Sequence, residues 1–142
     1  MYDSILVPTD GSAAMDSVID HANQLAQEQE ASITFLYVVN TSSFGSLPME
    51  TGWETLTEEL RAEGEDALEH AVDRVDVEAD TLLEEGTPYE IITAEADDYD
   101  VIVMGTSGRG GLDRVVLGSV AERVVRHSPV PVLTVRIGGL SE

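Results

Sequence analysis

Gly105, Gly108, Gly118 and Ser119 are the residues of this chain whose types and spacing most directly suggest chemistry. They lie in VIVMGTSGRGGLDRVVLGSVAERVVR, residues 101–126. Four apolar residues, Val101 to Met104, end at Gly105-Thr106-Ser107-Gly108-Arg109-Gly110-Gly111, a loop in which glycines can present bare backbone N–H groups. Ser119-Val120-Ala121-Glu122 then reads as a capping box, with Ser119 at the N-cap and Glu122 three residues into a helix. Strand, glycine loop and helix N-terminus together outline an anion site, because uncapped N–H donors and the helix dipole both favour negative charge. A GxxG pair alone is equally a tight strand-to-helix connection. Two other glycine-loop chemistries fail on residue identity. A Walker loop needs a lysine after its last glycine, and the seven basic residues here are all arginine. A dinucleotide fingerprint starting at Gly108 needs glycine at position 113, which is Asp113.

A second loop supplies the polar partners such an anion would need. Pro8-Thr9-Asp10-Gly11-Ser12 follows the apolar run Ser4-Ile5-Leu6-Val7. Backbone N–H groups of residues 108–111 and of Ser119 and Val120 could hold phosphates, and Arg109 could add positive charge. Beside phosphates Asp10 repels, unless it accepts from a ribose hydroxyl or shares a divalent cation such as Mg²⁺. It serves equally as an Asx-turn ahead of a helix.

The elements that must position these loops follow from hydrophobic periodicity. Ser4–Val7, Ile33–Val39 and Val101–Met104 are short continuous apolar runs, the pattern of strands buried on both faces. Residues 77–84 alternate Val77, Ala79, Thr81 and Leu83 with acids, the pattern of an edge strand. Val130 to Ile137 carries Pro131, which also suits an edge. Between them, Ser12 is expected to cap a helix with the stripe Met15, Val18, Ile19, Ala22, Leu25, Ala26. Glu54–Val75 repeats the helical period with Gly64 as a mild weakness. Thr87-Pro88-Tyr89-Glu90 opens a third helix reaching about Asp97. Ser119 opens the fourth. Residues 40–53 form a fourteen-residue polar loop.

The order βαβαβαβαβ implies an α/β fold with one open five-stranded parallel sheet, helices on both faces and right-handed crossovers. Buried strands 1, 2 and 4 and edge strands 3 and 5 are both satisfied by the order 3-2-1-4-5. Strand 1 then lies beside strand 4, and a ligand crevice opens between their carboxyl ends, where the Thr9-Asp10-Gly11 and glycine loops face each other.

At 142 residues the chain is read as one domain, residues 1–142. It has no cysteine, hence no disulfide frame or thiolate site, and His21, His70 and His127 lack metal-ligand spacing. No run approaches a membrane span and the start lacks a signal-peptide pattern, so a cytoplasmic address is expected. The net charge is −21. Residues 1–49 carry six acids and no base, residues 50–100 nineteen acids and two arginines, and residues 101–142 three acids and five arginines. Nucleic acid would be repelled by most of this surface, while a small anion has the last third open to it. So much charge opposes folding by self-repulsion, a penalty that molar salt screens. The composition therefore suggests a salt-adapted, halophilic protein. An acidic protein from a genome that prefers arginine codons would show it too.

Gly105-x2-Gly108-x9-Gly118-Ser119 resembles, without a gap, the nucleotide-binding motif of the universal stress protein family (UspA-like), and the flanking Gly111-Leu112-Asp113-Arg114 and Ser128-Pro129-Val130-Pro131-Val132-Leu133 are similar to that family as well. The resemblance extends over essentially the whole chain. It implies a Rossmann-like, ATP-binding (or AMP- or ADP-binding) stress-response protein. Pro8, Thr9 and Asp10 would lie at the adenosine and Val38 beside the adenine. Met104 and Gly105 would end strand 4, and Gly108, Arg109, Gly118, Ser119 and Val120 would form the phosphate segment. Tyr37 departs from the family's frequent His before that valine. The resemblance also implies a homodimer, with Val132, Leu133, Thr134, Val135 and Ile137 as an apolar edge paired with its copy. Three functions fit: a nucleotide-binding regulatory module, a slow ATPase or self-phosphorylating enzyme using the same cleft, and an interaction domain with no nucleotide. For phosphoryl transfer the sequence offers, besides Asp10, only Asp113 and Glu122 as carboxylates near the loop. Glu122 is committed to its capping box and Asp113 is the one candidate base, while Thr106, Ser107 and Ser119 are the candidate acceptors.

Overall fold

A computed structural model describes residues 2–41, 52–106 and 118–137. Five strands form one parallel sheet in the order β3-β2-β1-β4-β5. They are β1 (Ser4–Pro8), β2 (Ser32–Asn40), β3 (Ala79–Gly86), β4 (Val101–Gly105) and β5 (Val132–Val135). The helices are α1 (Met15–Gln29), α2 (Trp53–Arg74), α3 (Pro88–Glu95) and α4 (Ser119–His127), and a 3₁₀ turn at Ala96–Asp98 follows α3. The expected order and the buried or edge character of each strand are those observed.

The period-2 alternation of the strands divides the core between two faces. Ile5, Val7, Ile33, Phe35, Val101 and Val103 join Met15, Val18, Ile19 and Ala22 of α1 and Leu68 and Ala71 of α2. Leu6, Leu36, Ile102 and Met104 point the other way, against Ile92 of α3 and Ala121 and Val124 of α4. A sheet buried on both faces needs apolar residues at every position of its central strands. That is why β1, β2 and β4 read as continuous runs: Ile5, Leu6, Phe35, Leu36, Ile102 and Val103 are each fully buried.

Several local expectations are corrected. Ser12 does not cap α1, which begins at Met15 behind Ala14 in right-handed helical backbone. The Ser12 N–H is taken by Asp10 Oδ1 at 2.9 Å and the Gly11 N–H by Thr9 Oγ1 at 3.1 Å. The chain therefore folds back first and enters the helix through a turn, with Met15 N–H on Ser12 O. Gly64 is a packing requirement and not a weakness. A Cβ there would lie 2.5 Å from Tyr37 Cδ1 and 2.8 Å from Leu83 Cδ1, so α2 approaches the sheet where only hydrogen fits. Thr87 is the N-cap of α3 with Pro88 behind it, yet its side chain makes no capping bond. β5 is shorter than the run 130–137: the Pro131 carbonyl still accepts from Ile102 N–H, but Ile137 N–H leaves the ladder for Thr106 Oγ1. Among the described residues no helix is long and apolar enough to cross a membrane. The loop expected over residues 40–53 lies mostly outside the described residues.

Candidate functional site

β1 hands the chain to α1 on one face of the sheet, and β4 hands it toward α4 on the other. The two strands are paired through Ile5 with Val101 and Leu6 with Ile102. Beyond their carboxyl ends the chain departs in opposite directions, and a cleft of about 490 Å³ opens there. Its volume lies in the usual range for small-molecule sites. Pro8, Thr9, Asp10, Val38, Met104, Gly105, Gly118, Ser119 and Val120, all singled out from the sequence, line it together. Gly108 and Arg109 lie outside the described residues.

The polar wall of the cleft comes from Thr9, Asp10 and the start of α4. Asp10 Oδ1 holds the Asx turn just described, so its carboxylate is fixed at the cleft wall by the local backbone. The turn and the ligand role left open for Asp10 are thus compatible in one geometry. At α4 the expected capping box is not formed. Gly118, with φ −65° and ψ 165°, is the N-cap, Ser119 is the first helical residue, and among the described residues no side chain caps the end. The cause is upstream: Gly118 N–H donates to Thr106 O at 2.6 Å, which pins Gly118 in the half-in position and starts the helix one residue earlier. Glu122 pairs with Arg126 at 3.3 Å instead of reaching back. The first-turn amides of a helix have no carbonyl four residues behind them. Ser119, Val120 and Ala121, the residues that carry these amides in α4, line the cleft, and Ser119 is exposed.

The apolar wall includes residues the sequence did not single out for the site. Leu60 from α2, Pro88 and Ile92 from α3, Leu36 and Val39 of β2 and Met15 of α1 belong to it, and the polar Asn40 lines the cleft at the end of β2. One signal was available. In a parallel sheet every strand's carboxyl end and the helix N-terminus that follows border the same edge, which places Asn40 and Pro88 there. Leu60 reads only as one residue of a core stripe. Tyr37 packs in the core, 6% exposed, and is also one of the residues that line the cleft.

A second cavity of about 320 Å³ shares Thr9, Asp10, Met15 and Tyr37 with the cleft and adds Glu63, Asp66 and His70 of α2. Three carboxylates disfavour phosphate there, so the α4 end of the main cleft is the anion-compatible part. His70 pairs with Asp16 at 2.8 Å, and among the described residues no group of three or more His, Cys, Asp or Glu could hold a metal ion. His21, His70 and His127 are all exposed. Thr106 is buried at 8% exposure, with its hydroxyl engaged by the backbone of Ile137, an arrangement unsuited to accepting a phosphoryl group. Away from the cleft, Glu95 is shifted above the ordinary carboxylate range, first by burial and then by the charge and hydrogen bond of Glu84, with Asp98 adding to it.

An open parallel sheet in the order 3-2-1-4-5, with its cleft at the point where the connections diverge, is a Rossmann-like α/β fold. The chain belongs to the universal stress protein family, whose model matches residues 1–136. A universal stress protein of Methanocaldococcus jannaschii is 41% identical over 141 residues, covering 96% of this chain and 83% of the relative. The solved structure of UspA from Lactobacillus plantarum superposes with a TM-score of 0.83 at 30% identity, covering 95% of this chain and 98% of that one. Two more distant structures share the fold and are nucleotide complexes. One is a universal stress protein with cAMP (TM-score 0.67, 23% identity, 94% and 97% covered). The other is the Archaeoglobus fulgidus protein with dAMP (TM-score 0.69, 22% identity, 96% and 98% covered).

Proposed function

We propose that this protein binds an adenine nucleotide in the cleft, ATP first with AMP or ADP as alternatives, and acts as a regulatory stress-response module whose occupancy a partner protein reads. The observation that carries the reading is the convergence of Pro8, Thr9, Asp10, Val38, Gly105, Gly118 and Ser119 on one cleft, at the N-terminal turn of α4. The cAMP and dAMP complexes of two proteins of like fold support it.

In this reading the base lies on the apolar wall near Val38, Leu36 and Ile92, and Asp10 accepts from a ribose hydroxyl. Phosphates meet the amides of Ser119 and Val120 and the Ser119 hydroxyl, with Gly108 and Arg109 completing the segment. A Mg²⁺ would be held between Asp10 and the phosphates, because no protein cluster among the described residues holds one alone. Turnover is slow or nil. In-line transfer needs a positioned base or water, and Asp10 is the one carboxylate of this cleft's lining among the described residues. Occupancy then acts by shifting the population of a surface that a partner recognises.

The exposed edge of β5 is the proposed homodimer contact. Leu133 is 43% exposed on it and Val125 of α4 is 45% exposed. Val135 is buried and Ile137 packs on the core, so the apolar edge is narrower than its sequence suggests.

Mass spectrometry of nucleotide released from purified protein, with γ-labelled ATP and Mg²⁺ as a second arm, tests the proposal. Retained adenine nucleotide with negligible phosphate release is expected. Release on the order of 1 per second, as kinases achieve, or stoichiometric labelling of the chain would make the protein an enzyme.

A further inference from the structure

We propose that Thr106 is the positioning residue for the phosphate end of the cleft, setting where the first-turn amides of α4 stand without touching the ligand itself. The inference rests on the nucleotide reading above and adds to it a residue that does not line the cleft.

Thr106 is the first residue beyond β4, and each of its polar groups is committed. Its N–H donates to Val135 O at 3.0 Å, extending the ladder one rung past the strand. Its carbonyl accepts the 2.6 Å bond from Gly118 N–H, joining the two ends of segment 107–117. Its hydroxyl accepts from Ile137 N–H at 3.1 Å and donates to Ile137 O at 3.4 Å. One residue therefore ties the end of β4, the end of β5 and the start of α4 together.

Ile137 closes the arrangement from the other side. A Cβ on Gly105 would lie 2.8 Å from Ile137 Cδ1, so the Ile137 side chain covers the β4 exit closely. Packing alone does not call for a hydroxyl here, since valine has the same shape. What the hydroxyl adds is an acceptor for Ile137 N–H, which would otherwise be a half-buried unpaired donor. Without it the 136–137 segment loses its tie to the β4 exit, Thr106 loses one of its three anchors, and Gly118 moves with Thr106. The amides of Ser119 and Val120 follow Gly118 because they are the next two in the chain. A ligand held by its base and ribose would not register this movement. A ligand held by its phosphates would.

Calorimetry with ATP and with adenosine on wild type, Thr106→Val and Thr106→Ser, in the same high-salt buffer, tests the idea. Thr106→Val should weaken ATP roughly tenfold while leaving adenosine within about twofold, the signature of one lost positioning interaction. Thr106→Ser keeps the hydroxyl and should restore ATP affinity. Amide exchange at Gly118 and Ile137 should quicken in Thr106→Val and not in Thr106→Ser. Should Thr106→Val fail to fold, Ile137→Pro removes the donor from the other side and should give the same ATP-selective loss. Unchanged ATP affinity, or equal weakening of ATP and adenosine, would overturn the proposal. Wild type that binds neither ligand would overturn the nucleotide reading and this inference with it. Wild type that binds both, with variants indistinguishable from it, would overturn this inference alone.

Discussion

At the residue scale, Asp10 shows how one side chain can be both structural and functional. Its Oδ1 secures Ser12 N–H at 2.9 Å, a bond that any Asx side chain can make. Asp10→Asn should therefore leave stability within about 0.5 kcal/mol of wild type, while Asp10→Ala should cost about 1 kcal/mol through the lost turn bond. Thermal melts of the two variants check this. If Asp10 also serves ribose or a shared cation, Asp10→Asn should lose nucleotide affinity or its Mg²⁺ dependence even with the turn intact. Glu95 supplies a second residue-scale outcome. Its carboxyl is raised by burial and by Glu84, so the native state holds that proton more tightly than the unfolded chain does. The resulting stability is present below the unfolded carboxylate pKa and is lost as pH rises through the folded one. Glu84→Gln should thus raise the melting temperature at neutral pH, by an amount worth no more than about 0.5 kcal/mol given solvent screening, and the gain should vanish in acid. An equal gain at all pH values would contradict the assignment.

At the element scale, the strands were legible and the helix ends were not. Continuous apolar runs identify β1, β2 and β4 because burial on both faces leaves no alternative composition. Of the nine cleft residues, Thr9, Asp10, Gly105, Gly118, Ser119 and Val120 followed from the strand order and the glycine loops, whereas Pro8, Val38 and Met104 came only from the family resemblance. Ser12 and Ser119 both look like N-caps locally, yet neither caps a helix. A local Asx turn decided the first case, Asp10 folding the chain back before α1, and a longer-range hydrogen bond decided the second, Thr106 pinning Gly118 before α4. The first bond was open to sequence reasoning as the Asx turn weighed for Asp10, whereas local propensity does not contain the second. Gly64 reads as a weakness for the same reason, since the closeness of α2 to Tyr37 and Leu83 is a long-range fact. The overpacking cost of Gly64→Ala, about 1–3 kcal/mol, should offset the ~1 kcal/mol that alanine gains in helix propensity and leave a net destabilisation of up to about 2 kcal/mol. A denaturant titration that found the alanine variant more stable would refute the close packing.

At the scale of the whole molecule, charge outweighs every other feature. A net charge of −21 on 142 residues, with five of seven arginines in the last third, leaves most of the surface self-repelling. Midpoints of thermal unfolding should rise across a KCl series from low to molar concentration as the Debye length falls toward about 3 Å. A flat or falling midpoint would count against salt adaptation. Light scattering in the same buffers should give twice the monomer mass if the β5 edge pairs with its copy, and a monomer mass at micromolar concentration would exclude that contact. The central claim is nucleotide binding where α4 meets the cleft, and Gly118 offers its most direct test. Its φ of −65° and ψ of 165° suit any residue, so Gly118→Val keeps the backbone while adding methyl groups to the cleft wall. Calorimetric titration of ATP into both proteins in molar KCl should show binding by wild type and a loss of at least about tenfold, ~1.4 kcal/mol, in Gly118→Val. Equal ATP affinity in the two proteins would contradict the site.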